Sequence, residues 1–566
     1  MSPRKVARKA TQPVRKRKVN PKTNGSMPAN GTVGTNEASE AERREEHEQP
    51  TESVPSKLVK RERSSSTAAT PAKDGIAKKT TYGRKRKVPS ATSRAVKTND
   101  GVCLALKNKN FSAYECNLEV PAVAGSTGRS RKKKFHLFIE SYLPRECGDR
   151  VLSCGEGEQL GHPGRTTTKK PRAIDTLPPD KKIAQVAAGG VHSLVLLEDG
   201  TVFSCGINEK GTVPAEGVEA EGSTDRLTPI NFSDEIRRHG KLVMITAGAS
   251  FSAGLTNRGS VIAWGNIRDT SGCIETHKLL REMEQRPVVI VRHQRKVIVK
   301  IAAGENHLAM LSENGELLTF GDGSMGQLGR LGRVSHIRAQ QMVDDSGDFL
   351  RVSVLEKGKG RLVHFDDIMA GGYWTAARAE DGRVFVCGLN NFGHLGIEPP
   401  AVDQKAKPGE DSPELRIMRP TIAPAYDGHK FVQLCGVQHM IALDENGDLY
   451  GIGKNTDNAL GLGTWTGNED SEHWRYTHLE KIELPAKAMG IAAKLGCSLA
   501  WTQEGVAYSW GCDTSGQLGL GIKDDDDDKV VPKPRQIESA HLNGYRIVGA
   551  SIADNHALFL AAKTSA

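Results

Sequence analysis

Apolar residues in this chain come in short, dense runs rather than at helical spacing. Seven runs share one ending, in which five residues, mostly apolar, close on a glycine and give way to a polar turn. They are Val151–Gly155, Val202–Gly206, Val261–Gly265, Leu317–Gly321, Val384–Gly388, Leu449–Gly453 and Ala507–Gly511. Successive glycines lie 51, 59, 56, 67, 65 and 58 residues apart. Four of the turns finish on Gly-Gln/His-Leu-Gly or a close variant, at Gly161, Gly329, Gly396 and Gly519. A second phrase, Ala-Gly-x-x-His before another apolar run, lies between them at Ala188–His192, Ala303–His307 and, with Cys first, Cys435–His439. Weaker copies are Ala247–Phe251, Ala370–Trp374 and Ile552–His556. The runs after these phrases end in acidic-Gly or Asn-Gly pairs, such as Asp199-Gly200 and Asn314-Gly315, which suit tight hairpins.

Short apolar runs bounded by turn residues read as strands. Each unit of about 50–65 residues then holds about four strands, and strands at that period predict the blades of a β-propeller. Seven blades close a ring, which removes exposed sheet edges. The expected fold is all-β, a seven-bladed β-propeller over 135–566. Closure is expected to bring the segment just before Gly155 against strands near 545–562. The repeated histidines, one per blade, are expected to hydrogen-bond between neighbouring repeats rather than to bind a metal.

Charge divides the chain again. The protein has 566 residues and a formal net charge of +10. Residues 1–134 carry 31 Lys+Arg against 12 Asp+Glu, so the remainder is net acidic. Only 8 of the 60 glycines fall in this first part. Rich in Ser, Thr, Pro and Lys, residues 1–134 cannot bury enough apolar surface to offset ordering, and read as a disordered basic tail. Basic clusters occur at Arg15, Lys16, Arg17, Lys18, at Arg84, Lys85, Arg86, Lys87, and at Arg131–Lys134. One such cluster reads equally as a solvated linker; three in one tail favour nuclear import or phosphate binding. No aromatics interleave with them, so the DNA contact expected is to the backbone, without sequence reading. The mildly apolar stretch 101–120 has no assignment.

Other classes are excluded on chemistry. No stretch of 18 apolar residues is present, and the start lacks the apolar core of a signal peptide, so no membrane association is expected. Ten cysteines without a CxxC pair suit a reducing compartment. The loop from Gly321 to Gly326 lacks the lysine and following helix of a phosphate loop. No constellation for covalent catalysis stands out, and no metal or cofactor is expected. A propeller enzyme would need inward carboxylates or histidines on several blades around the channel, which periodicity does not reveal.

The combination of Trp/Cys-Gly, Gly-Gln-Leu-Gly and Ala-Gly-x-x-His at this period resembles the regulator of chromosome condensation family, over about 145–562. The resemblance implies a seven-bladed propeller and a nuclear, chromatin-bound guanine-nucleotide exchange factor for the small GTPase Ran, acting without covalent chemistry. It implies Ran, the nucleosome and an import receptor as partners. A non-exchanging chromatin scaffold on the same propeller is the alternative. The segment Trp264–Ile274 looks like the family's protruding wedge, with Ile267 in an aromatic place and Arg268, Asp269 and Gly272 in the wedge pattern. Asn306 and Gln438 match exchange positions, where the family has Asp and His; Ala249 stands where it has Asp. His192, Glu305, Arg330 and His556 match its GTPase-binding face. Arg333 and Arg338 fall in the region implied to bind histones, and the Ser2-Pro3 start is similar to one methylated after removal of Met1.

Overall fold

The computed structural model describes residues 135–269, 274, 277–330, 350–399, 415–467, 472–523 and 529–564. Within these residues, twenty-eight strands form seven four-stranded antiparallel sheets. Six blades run in chain order from the inner strand outward. Their inner strands are Ile183–Ala188, Leu242–Ala247, Ile298–Ala303, Phe365–Gly371, Phe431–Cys435 and Ala488–Lys494, for the second to the seventh blade. The first blade is composite. Its order is Thr167–Ala173, Arg150–Glu156, His556–Lys563, Tyr545–Ile552, so the last two strands of the fold pair with the first two. Register runs from Arg150 opposite Ala561 to Gly155 opposite His556. This is the expected closure, and the seven-bladed ring is complete.

The dense apolar runs follow from burial on both sides. Second and third strands of each blade are sandwiched between neighbouring blades, and strands such as His192–Leu197, Ser250–Thr256, His307–Ser312 and Trp374–Ala379 are buried throughout. A strand covered on both faces needs no polar alternation. Several fourth strands lie partly exposed on the rim, as Arg416–Ile422 and Val530–Gln536 do, whereas Val288–Val291 of the third blade is apolar and mostly buried. The sequence repeat is offset from the blade, because its closing glycine ends a third strand and its Ala-Gly-x-x-His phrase joins the first and second strands of the next blade. Among the described residues two short α-helices, Asp234–Arg237 and Lys278–Met283, and several 3-10 turns interrupt the otherwise β architecture that periodicity predicted.

Inner strands surround a central channel of about 310 Å³. Its lining is mostly Ala, Gly and aliphatic, with Lys300, Lys494, Gln185 and Gln433 as the larger polar groups. Gln185 and Gln433 are spent on the backbone of the next blade, through Ile245 and Ile491. Lys300 and Lys494 are each ion-paired, to Asp367 and Glu305. The lead-in segment crosses one end of the ring: Leu137 N donates to Glu313 O (2.8 Å) and the Tyr142 hydroxyl to Asp366 O (2.6 Å). No helix among the described residues is long and apolar enough to cross a membrane.

Candidate partner-binding face

Loops joining first to second strands, and third to fourth strands, all emerge at the end of the ring opposite the lead-in segment. The residues that precede each buried seam and those that follow each closing glycine are therefore gathered on one face.

The seam beneath this face is built by the repeat. Each closing glycine lies opposite a residue at the start of the second strand: Gly206 opposite His192, Gly265 opposite Phe251, Gly321 opposite His307, Gly388 opposite Trp374, Gly453 opposite His439, Gly511 opposite Cys497. Gly206 (φ 116°) and Gly388 (φ 122°) take a backbone shape that side chains resist, and a Cβ there would strike the facing strand. The histidines are buried and bridge blades through Nε2: His192 to Ser252 (2.7 Å), His307 to Thr375 (2.9 Å), His439 to Ser498 (2.9 Å) and His556 to Ser193 (2.9 Å). Three of these hydroxyls donate onward to loop carbonyls, Ser193 to Gln159 O, Thr375 to Gln327 O and Ser498 to Ala459 O. A hydroxyl has one proton, so the ring must donate from Nε2. Burial holds His192 and His556 down at about 3, and His307 and His439 at about 4.

Where the next blade offers no hydroxyl, the histidine is missing. Phe251 shares an apolar cluster with Leu308, Trp374 with Met440, and Cys497 with Ala557. This reading as inter-repeat bonds matches the expectation for the repeated histidines. It also corrects the assignment of His192 and His556 to partner contact: both are fully buried, so they support the face from below. Arg330 is likewise turned inward, donating to Thr319 Oγ1 (3.0 Å) and O (2.8 Å), and burial lowers it to about 9.

Above the seam the loops differ from blade to blade. Arg268 is half-exposed; its Nη1 pairs with Glu209 (3.1 Å) and its Nη2 donates to Ser250 Oγ (3.2 Å). Ser250 in turn donates to Glu209 Oε2 (2.9 Å). The Arg268 backbone N–H donates to Asn306 Oδ1 (3.2 Å), so two of the expected exchange residues do meet. Gln438 does not join them; it accepts from Lys454 Nζ (3.3 Å) two blades away from Asn306. Ile267 and Asp269 are buried beside the exposed Arg268, and Ile274 packs under the loop with Leu280 and Met283. The loop's stem is thus anchored; Gly272 lies outside the described residues, as do Arg333, Arg338, Ser2 and the basic clusters. At the channel mouth Glu305 is ion-paired to Lys494, with Asp554 beside them. Burial raises the Asp554 carboxyl, against the pull of Lys494. Sequence reasoning missed Glu209, Ser250 and Lys494, which carry no repeat signature. Among the described residues no group of three or more His, Cys, Asp or Glu is placed to hold a metal ion.

The family model of the RCC1-like domain matches residues 150–559, the whole ring but for its ends. The chain belongs to the RCC1-like family. It is similar to the regulator of chromosome condensation of Xenopus laevis, 30% identical over 421 residues, covering 74% of this chain and 91% of that one. It is 26% identical over 412 residues to the Saccharomyces cerevisiae guanine nucleotide exchange factor SRM1, covering 67% of this chain and 79% of that protein. Among solved structures, Prp20p of Saccharomyces cerevisiae, characterised for binding to Gsp1p and histones, superposes with a TM-score of 0.64 at 23% identity, covering 77% of this chain and 97% of that one. That likeness shows the fold of an RCC1-like ring.

Proposed function

We propose that this RCC1-like chain is a guanine-nucleotide exchange factor for Ran, held on chromatin in the nucleus. The observation that carries the reading is Arg268, a half-exposed arginine fixed on one face by Glu209 and Ser250, with Asn306 at its backbone. A guanidinium held in advance loses less freedom on meeting a partner. Exchange needs no bond to be made. The face binds nucleotide-free Ran more tightly than nucleotide-bound Ran, and by linkage it weakens nucleotide binding by the same factor. Phosphates and Mg²⁺ hold the nucleotide in such GTPases, so the loop bearing Arg268 and Asp269 acts by disturbing that region. Direction comes from the cellular GTP:GDP ratio. The basic tail serves an import receptor and nucleosomal DNA, Arg333 and Arg338 serve histones, and Ser2 is the site of terminal modification.

A non-exchanging scaffold is the second reading, favoured by Gln438 standing apart from the Arg268–Asn306 pair and by the loss of an acidic residue at Ala249. Release of a fluorescent GDP analogue from Ran, on adding catalytic amounts of the full chain, decides between them. Acceleration by the parent protein and its loss in Arg268→Ala is expected; a folded parent that leaves release at the spontaneous rate makes the scaffold reading the correct one.

A further inference from the structure

Blade seven breaks the repeat at two linked places. The residue three before the seam residue, at the end of the inner strand or just past it, is Gly189, Gly248, Gly304, Gly371 and Gly436 in blades two to six, and Ala553 in the composite blade; in blade seven it is Lys494. In most blades the seam crowds this place, although Ala553 carries a Cβ beside His556. A Cβ on Gly189 or Gly304 would run into the ring of His192 or His307, and one on Gly248 into Phe251. Blade seven has no ring there. Cys497, opposite Lys494 in the register, is the smallest of the seven seam residues, and it leaves room for a long stem.

That stem reaches across the molecule. Lys494 Nζ pairs with Glu305 of blade four, on the far side of the channel, with both side chains about 85% covered. Burial pulls the ammonium down, but Glu305 and Asp554 outweigh it and Lys494 titrates above its ordinary value. An ion pair sheltered from water acts with more force than one on a rim, and removal of one partner strands the other charge. Glu305 is also tied at its backbone, accepting from Ala249 N (2.8 Å) and donating to Gly372 O (2.9 Å). The next residue is Asn306, which holds the Arg268 backbone. One chain of contacts therefore runs from blade seven through Glu305 and Asn306 to Arg268, Glu209 and Ser250.

We propose that Lys494 is a positioning residue: it fixes the Glu305–Asn306 loop from the opposite blade and so sets the height and orientation of Arg268 on the partner-binding face. The role rests on the exchange reading above. Glycine is what five other blades carry, so Lys494→Gly asks nothing new of the fold, whereas it frees the Glu305 loop.

The test follows nucleotide release at increasing concentrations of GTPase, with the full chain as parent, Lys494→Gly, Lys494→Arg, the single reversals Glu305→Lys and Lys494→Glu, and the charge exchange that combines them. Thermal unfolding is recorded on each. Expected is a fall in the maximal release rate of on the order of tenfold for Lys494→Gly, since small misplacement of acting groups is costly. The half-saturating GTPase concentration stays close to the parent's, and the unfolding temperature falls but leaves the protein folded at the assay temperature, because Glu305 loses its partner. Lys494→Arg restores most of the rate, and the charge exchange restores more than either single reversal. An unchanged maximal rate in Lys494→Gly, or a loss that Arg does not rescue, overturns the role while leaving exchange standing. A parent that gives no acceleration removes exchange and this role together. Should Lys494→Gly fail to fold, Lys494→Gln takes its place with the same expected split.

Discussion

Two layers of the ring lie one residue apart and obey different rules. His307, His439 and His556 belong to the seam, where each position is answered by a matching group on the next blade. Asn306, Gln438 and Asn555 precede them directly and show no common partner: Asn306 accepts from Arg268, Gln438 from Lys454, and Asn555 turns to its own neighbour His556. The seam repeats because it is the same packing problem seven times. The face does not repeat because a partner approaching it meets all seven blades at once, and only unlike loops can read an unlike surface.

If the layers are separable, damage to one should leave the other intact. Trp374→Ala gives the largest effect. The side chain is fully buried and its indole donates to Gly436 O (3.0 Å), so a loss of about 3–5 kcal/mol in denaturant unfolding is expected, with nucleotide release per folded molecule unchanged. Arg268→Ala should do the reverse. Release slows by roughly a hundredfold, as for loss of one charged group acting on a bound partner, while stability moves by under about 1 kcal/mol, because its pair with Glu209 is half-exposed.

The pairing rule within the seam can be broken directly. Phe251→His puts an imidazole against Leu308 with no hydroxyl to receive it, and should cost about 1–3 kcal/mol. Adding Leu308→Thr should recover part of that loss, read as a coupling energy in the double-mutant cycle. Failure of the second change to help would mean the co-occurrence of His and hydroxyl is incidental. Acid acts on the same seam gradually. Folded-state values of about 3 and 4 for His192, His556, His307 and His439 lie below the ordinary 6.5. The unfolded chain therefore takes up protons first as pH falls, and the folded state loses ground. Stability should be level above about pH 6.5 and decline below it by up to about 1.4 kcal/mol per unit for each histidine, easing as pH nears 4. Mutating His307 to Leu with Thr375→Val should flatten that slope.

The architecture was legible because its signals are local. Glycines at positive φ, apolar runs and turn pairs all announce themselves within five residues, and closure followed from the count of seven. Blade seven's seam phrase escaped notice because both of its markers are replaced, by Lys494 and Cys497. The histidine assignments went astray for a different reason. Family position placed His192 and His556 on the face, but their burial depends on Ser252 and Ser193, some 60 and 363 residues away. A signal did exist: wherever the phrase has His, the residue after the matching position one blade later is Ser or Thr. For Glu209, Ser250 and Lys494 no local signal exists. Each matters through contact with a distant loop, and distance across a ring is written in no short window.

Pairing of Arg150–Glu156 with His556–Lys563 also sets a timetable. The first strand of the ring leaves the ribosome roughly 400 residues before its partner, which at about 5–20 residues per second is a wait on the order of 20–80 s. Throughout that time an apolar strand with an unpaired edge stands open to any other chain making strands nearby. Production of this protein should therefore depend on nascent-chain chaperones, and a stop codon ahead of His556 should leave six finished blades that aggregate rather than a slightly shorter ring.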